Sequence, residues 1–151
     1  MAYAENDVVI QRDAMSVYTF LLDPVNLPLW REGVRSVELI AGAGGSQGAV
    51  YRPHLDHTGH RQSAADFELT VTRPGAEIQF QVLAGPVRPH GGYYLSSEGT
   101  STRVRFALQC RPGAAGLLLV LPKVRRALKT QVAQLERLKT VLEKEQQRAA
   151  A

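Results

Sequence analysis

Three closely spaced histidines in this 151-residue chain are the side chains that first suggest metal chemistry. His54, His57 and His60 recur at intervals of three, and imidazole is a common metal ligand. In a strand, however, residues three apart point to opposite faces, so the three rings cannot meet at one ion. The single cysteine, Cys110, and the fourth histidine, His90, lie elsewhere and do not complete a four-ligand set. We therefore expect no metal, and interpret the histidines as part of a polar hairpin tip.

The facing of the strand before this tip decides whether acid–base residues enter the interior of the fold. A two-residue turn at residues 58–59 would pair His54 with Ser63 on the concave face. The same turn would pair Asp56 with Arg61 on that face. The four side chains would then form an acid–base array inside a pocket.

A three-residue loop at residues 57–59 shifts the register by one and reverses the faces. It turns the side chains of His54 and Asp56 outward. The inward side chains are then Tyr51, Pro53 and Leu55. We favour this loop because aspartate at its first flanking position and glycine at its last position are typical of a type I turn with a glycine bulge. Burying an unpaired histidine and aspartate would also cost free energy.

Other reactive residue types offer no better site. The glycine-rich stretch at residues 42–48 lacks the Lys-Ser/Thr of a phosphate loop and leads into a strand, so we interpret it as a strand connection. Cys110 falls on the inward face of its strand and is expected to be a small buried hydrophobe. Arg88 and His90 share the face opposite Tyr93, outside the interior. We expect no cofactor and assign no catalytic residue.

A long amphipathic helix at the C-terminus is predicted by apolar residues at steps of three and four. Residues 111–151 hold nine basic and three acidic residues, so the net charge of +4 comes from the solvated side of this helix. We expect a turn before Pro122, the main helix from there to about Lys144, and fraying at residues 145–151. The apolar stripe consists of Leu117, Leu121, Val124, Leu128, Val132, Leu135, Leu138 and Leu142.

Alternation with period two in the rest of the chain predicts an antiparallel sheet with one polar face. Asp13 suits the N-cap of a first short helix, and a second short helix is expected from Pro24 to Trp30. The predicted order is one strand, two short helices, six strands and the long helix. We therefore expect one α+β domain over residues 1–151 with a seven-stranded sheet.

Residues 17–30, with the sequence VYTFLLDPVNLPLW, are similar to the opening of polyketide cyclase/dehydrase-like members of the START/Bet v 1 (SRPBCC) superfamily. The similarity continues at Phe67–Thr70, Tyr93–Leu95, Thr102–Val104 and Leu135–Glu143. It implies a helix-grip fold, in which a curved antiparallel sheet wraps around the C-terminal helix and leaves an apolar cavity between them. Members include lipid carriers, hormone receptors and cyclases, so the resemblance implies a pocket without specifying a reaction.

The side chains expected to line this cavity are mostly apolar, with the Tyr51 and Tyr93 hydroxyls as orienting groups. The alternative is that they fill a core, as such stripes usually do. Trp30 is expected mainly to pack where the short helices meet the sheet. The expected ligand-binding residues are Trp30, Tyr51, Leu55, Ser63, Phe67, Phe80, Tyr93, Phe106, Leu121, Val124 and Leu128.

Our first functional hypothesis is a binding or carrier protein for an apolar small molecule such as a polyketide, an isoprenoid or a lipid. The alternative is a polyketide cyclase/dehydratase acting in the same cavity, with Tyr51, Tyr93, Arg61 and Ser63 as candidate polar groups. His54 and Asp56 would join that set only with the two-residue turn.

A third hypothesis is peripheral contact of the basic helix face with an anionic membrane. Nucleic acid is disfavoured because no aromatic residue is interleaved with the cations. The chain has no apolar run long enough to span a bilayer and no apolar leader after Met1. It has a single cysteine, so no internal disulfide is possible. We therefore expect a cytoplasmic protein. The sequence predicts no oligomeric state.

Overall fold

The described part of the chain contains one antiparallel sheet of seven strands. The computed structural model describes residues 1–56, 65–85, 87–111 and 117–150, with the backbone alone at residues 117–120 and 150. The strands are β1 Ala2–Ile10, β2 Val34–Ala41, β3 Val50–Leu55, β4 Phe67–Arg73, β5 Glu77–Val82, β6 His90–Glu98 and β7 Ser101–Cys110. They lie in the order β1-β7-β6-β5-β4-β3-β2.

The helices are placed so that the concave side of this sheet is covered. They are α1 Ala14–Leu22, a 3₁₀ helix Pro24–Leu29, α2 Leu117–Ala133 and α3 Leu135–Ala150. Both α2 and α3 contact β1, and α2 also contacts β7. The predicted α+β helix-grip fold, with two short helices after the first strand, is confirmed.

The alternation predicted for β7 separates an apolar face from a charged face. Val104 and Phe106 are fully buried on the concave side. Arg103 directly precedes Val104 and points to the outer side. There it donates to Asp7 at 2.6 Å and to Glu98 at 2.7 Å. Period-two patterning therefore directs every other side chain of this strand to the interior. Cys110 is buried on the same inner face, as predicted.

Two aspartates set the entry of the chain into the short helices. The Asp13 carboxylate accepts from the backbone N–H of Ser16 at 3.0 Å and from its hydroxyl at 2.6 Å, which confirms the predicted N-cap. These bonds lower the pKa of Asp13. Asp23 accepts from the N–H of Val25 at 3.1 Å and begins the 3₁₀ helix, which ends just before the buried Trp30.

The long C-terminal helix is interrupted at Gln134, which the sequence analysis did not predict. Around this residue the backbone bonds span three residues, from the Gln134 N–H to the Gln131 carbonyl at 3.1 Å and from the Arg137 N–H to the Gln134 carbonyl at 2.9 Å. The carbonyl of Val132 instead accepts from the Asn6 side-chain amide of β1 at 3.1 Å. A side chain that enters the helical hydrogen-bond ladder is a recognised cause of a helix break.

Both predicted ends of this helix differ from the structure. Helix α2 begins at Leu117 and contains Pro122, so the expected turn before the proline was wrong. Pro122 is the sixth residue of this helix, beyond the first turn in which a proline costs little, so the helix forms here despite the missing N–H. Helix α3 continues to Ala150 rather than Lys144, through residues with good helix propensity.

From Leu128 onward, the described side chains of the apolar stripe point to the sheet. Leu135, Leu138 and Leu142 are fully buried, and Leu128 and Val132 are nearly so. The side chain of Leu117 is outside the described part of the chain. Within that part, none of the helices combines the length and the apolar character needed to cross a bilayer.

Candidate functional site

A cavity of about 430 Å³ lies between the concave face of the sheet and the helices. This volume falls within the range of about 300–1,000 Å³ typical of small-molecule sites. The short helices contribute Leu21, Pro24 and Leu27 to its wall. The sheet contributes an apolar surface whose residues alternate along three adjacent strands. These are Pro53 and Leu55 of β3, Phe67 and Leu69 of β4, and Ile78, Phe80 and Val82 of β5.

Four of the eleven expected ligand-binding residues border this cavity directly. They are Leu55, Phe67, Phe80 and Tyr93, which come from four different strands of the sheet. Phe80 contacts both Phe67 and Tyr93, with ring centroids 6.1 and 5.9 Å apart. The three aromatic rings therefore form one continuous wall. Ser63 lies outside the described residues, as do Arg61, His57 and His60.

Three further expected residues are buried next to this wall rather than in it. Trp30 meets Tyr93 and Phe106 edge-on, with both centroid distances 6.1 Å. The rings of Tyr93 and Phe106 stack at 4.8 Å. Tyr51 stacks on Phe67 at 5.7 Å. These contacts hold the orientation of the rings that face the cavity.

The helix contributes polar residues to the cavity in place of the apolar ones expected from the stripe. Leu121 and Val124 are half-buried and Leu128 is buried, but none of them borders the cavity. The bordering residues are Gln131 and Gln134, at the break between α2 and α3. Apolar residues at steps of three and four identify the apolar face of a helix, but they give no signal for such a break.

The facing of β3 agrees with the prediction from the three-residue loop. Pro53 and Leu55 border the cavity and Tyr51 is buried. His54 lies on the outer face, with its Nε2 atom 3.7 Å from a Glu38 carboxylate oxygen. The loop itself lies outside the described residues.

The register in which β3 pairs with β4 nevertheless differs from the register that a three-residue loop predicts. Tyr51 lies opposite Phe67, whereas a loop at residues 57–59 would place it opposite Ala65. This shift is two residues. An even shift leaves each side chain on its original face, which is why the predicted facing holds. Asp56 is exposed and does not border the cavity.

The Tyr51 hydroxyl is occupied by the glycine-rich loop. It accepts from the Gly45 backbone N–H at 2.8 Å, so it anchors the connection between β2 and β3. Ser46 in this loop has the Gly-x-Ser-x-Gly spacing of a nucleophile elbow, between Gly44 and Gly48. An elbow leads from a strand into a helix, whereas this loop joins two strands, so the spacing carries no such chemistry.

Arg31 is a cavity residue that the sequence analysis missed. Its guanidinium carbon lies 5.4 Å from the Trp30 ring centroid and 5.6 Å from that of Phe106, within range of cation–π attraction. One guanidinium nitrogen, Nη2, donates to the Gln131 side-chain oxygen at 3.0 Å. The only local signal is its position after the single tryptophan, and such a position does not show which way an arginine points.

Tyr93 supplies a hydroxyl to the same part of the cavity. Burial raises the pKa of this hydroxyl above its ordinary value, and the nearby Arg31 guanidinium opposes that shift. Tyr93 is therefore protonated at neutral pH and can donate a hydrogen bond. Glu32 also borders the cavity but is exposed, and its backbone N–H donates to the Gln134 side chain at 2.8 Å.

The described part of the cavity is suited to binding a molecule with an apolar body. Its walls are aliphatic and aromatic, and its polar groups gather where Trp30 and Arg31 approach the break between α2 and α3. Arg31 and Tyr93 can donate hydrogen bonds to an oxygen atom, and neither acts as a base at neutral pH. The polar groups and the apolar walls therefore occupy different parts of the cavity.

A comparison with protein-family models matches residues 1–143 to the family described as polyketide cyclase/dehydrase and lipid transport. The match therefore spans all seven strands and most of the C-terminal helix. Comparison with curated protein sequences returned no match.

Solved structures of low sequence identity share the fold. An aromatase/cyclase from Streptomyces sp. R1128 is 17% identical, with a TM-score of 0.74 over 99% of this chain and 95% of that one. A START superfamily protein from Mycobacterium smegmatis is 14% identical, with a TM-score of 0.74 over 95% and 99%. A major latex-like protein from Panax ginseng is 12% identical, with a TM-score of 0.68 over 93% and 97%.

Proposed function

Since this chain belongs to the polyketide cyclase/dehydrase and lipid transport family, we propose that it binds an apolar small molecule in the cavity between the sheet and the C-terminal helix. The observation that carries this proposal is the 430 Å³ cavity with its aliphatic and aromatic walls. Transfer of an apolar ligand into such a site contributes about 0.8 kcal/mol for each buried methylene group. Polyketides, isoprenoids and lipids are the ligand classes that fit.

Filling the cavity tests this proposal. The variant Val82→Trp places an indole where a small side chain of β5 borders the cavity. We expect its affinity for the neutral fluorescent probe 1-aminoanthracene to fall about tenfold or more, because the added ring occupies ligand volume. Fluorescence titration of the purified protein measures this affinity.

The matched control adds the same indole to the other face of the sheet. Glu68 lies between the cavity residues Phe67 and Leu69 in β4, so its side chain points outward. Glu68→Trp is expected to bind the probe as the wild type does. Absence of probe binding to the wild type, or equal binding by both variants, would contradict the proposal.

A second candidate function, polyketide cyclase/dehydratase, is favoured by the two hydrogen-bond donors of Tyr93 and Arg31 at the cavity. Such donors can polarise a ketone during enolisation and loss of water. Of the other candidate groups, the Tyr51 hydroxyl is bonded to Gly45, and the ring of His54 lies on the outer face. The cyclase proposal therefore depends on Tyr93 among the tyrosines.

Product analysis distinguishes the carrier from the cyclase. A ketosynthase and an acyl carrier protein would supply a poly-β-keto chain, and mass spectrometry would compare the cyclised products with and without this protein. A cyclase changes the product ratio, and Tyr93→Phe removes that change while 1-aminoanthracene still binds. An unchanged product ratio with the wild-type protein would contradict the cyclase.

Location and membrane contact form further parts of this proposal. A cytoplasmic location is supported by the single cysteine, which cannot form an internal disulfide.

Peripheral membrane contact is supported by the exposed side chains of Lys123, Arg125 and Arg126 on α2. Salt-sensitive binding to anionic liposomes, lost when these three residues are replaced, would test that contact.

A further inference from the structure

Arg31 is a permanently charged group at the wall of a cavity that is mostly aliphatic and aromatic. Its guanidinium lies near the Trp30 and Phe106 rings, which hold it beside the break between α2 and α3. Arginine does not lose its proton at accessible pH, so this part of the cavity carries a positive charge.

The charge has no carboxylate partner in the described part of the chain. Arg52, Arg103 and Arg105 each bind an aspartate or glutamate within 3.1 Å, whereas the acceptor of Arg31 is the neutral amide of Gln131. The Nε atom of Arg31 is buried and has no hydrogen-bond partner among the described residues. A partly buried cation without a counter-charge is unfavourable, and an anion that reaches it would recover that cost.

The neighbouring polar groups can also receive an anionic oxygen. The Tyr93 hydroxyl is protonated and can donate. The side-chain amides of Gln131 and Gln134 border the same space. Glu32, the carboxylate at the cavity, is exposed to solvent and forms no ion pair with Arg31.

We infer that Arg31 is a specificity-determining residue that binds a carboxylate or an equivalent anionic oxygen at one end of an apolar ligand. This inference rests on the proposed function, because it concerns the ligand of the same cavity. The apolar body of the ligand would lie along Phe67 and Phe80, and its anionic end would lie at Arg31 and Tyr93. Hydrogen bonds to charged groups are stronger than neutral ones, so an acid is favoured over an alcohol of the same length.

Displacement of 1-aminoanthracene by decanoate and by 1-decanol tests this inference. The two competitors share their chain length and differ in charge. We expect the wild-type protein to prefer decanoate by about tenfold to a hundredfold, the range expected for one or two charge-assisted hydrogen bonds. This preference is measured without any substitution, so the test does not depend on the folding of a variant.

Substitutions then assign the preference to a residue. Arg31→Met removes the charge and is expected to abolish the preference, because decanoate loses a bond between two charged groups whereas 1-decanol loses at most a bond to a neutral oxygen. Arg31→Lys keeps the charge and should retain part of the preference. Arg35→Met removes an exposed arginine four positions away and should bind both competitors as the wild type does.

The outcomes separate this inference from the proposed function. Equal binding of decanoate and 1-decanol to the wild type, or an unchanged preference in Arg31→Met, would overturn the role of Arg31 and show that it only packs on the aromatic rings. Binding of 1-aminoanthracene would still support the cavity in that case. If the probe itself does not bind, both the proposed function and this inference fail.

Discussion

Gly91→Ala is expected to lower the free energy of unfolding by about 3 kcal/mol or more, at the upper end of the cost of overpacking. A β-carbon at this position would overlap the backbone carbonyl oxygen of Ala107 and lie 2.6 Å from Cδ2 of Leu108. Backbone of a central strand cannot move aside as a side-chain end can. Gly91 pairs with Phe80 on one side and Leu108 on the other, so the clash lies in the middle of the sheet next to the cavity wall.

Gly44→Ala is the matched control for this prediction. A β-carbon there would lie 3.5 Å from Cδ2 of Leu39 and 3.7 Å from the Tyr51 hydroxyl, which are ordinary contacts. We expect its free energy of unfolding to stay within about 0.5 kcal/mol of the wild-type value. Urea denaturation followed by circular dichroism measures both variants. Equal stability of Gly91→Ala and Gly44→Ala would contradict the close packing of strands β5, β6 and β7.

Leu138→Ala is expected to lower the free energy of unfolding by about 2–5 kcal/mol. Leu138 is 0% exposed in α3, and its truncation leaves a void between the helix and the sheet. Alanine has a high helix propensity, so the loss reports packing rather than helix formation. This cost is a large share of the roughly 5–15 kcal/mol that stabilises a typical domain.

The control for Leu138→Ala removes the same atoms from the surface. Leu29 at the end of the 3₁₀ helix is 53% exposed, and Leu29→Ala is expected to change the stability by less than about 0.5 kcal/mol. Neither leucine borders the cavity, so folded protein of both variants should bind 1-aminoanthracene with wild-type affinity. Similar denaturation midpoints for the two variants would show that α3 does not form part of the core.

Local patterns in the sequence predicted the strands, the two short helices and the faces of the strands, but not the ends of the C-terminal helix or its break at Gln134. Alternation placed Phe80 and Tyr93 on the concave side, and both border the cavity. Aspartate and glycine at the loop after β3 predicted which of its residues turn inward. That prediction held although the observed pairing is shifted by two residues, because facing depends only on whether the shift is odd or even.

The polar end of the cavity depended on contacts between residues far apart in the chain. Gln131 and Gln134 reach it because the helix breaks where the Asn6 side chain bonds the Val132 carbonyl. Arg31 points to it because Trp30 is buried and Gln131 lies within hydrogen-bond distance. None of these relations leaves a periodic signal in the sequence.

The sequence by itself determined the family resemblance, the order of helices and strands, and the apolar faces, since these follow from short-range periodicity and capping. Only the tertiary structure decided that Leu121, Val124 and Leu128 lie away from the cavity and that an arginine without a carboxylate partner among the described residues lies at its wall. The physical reason is that periodicity assigns a residue to a face. The position of a helix over a curved sheet decides which residues of that face pack on the sheet and which border the cavity.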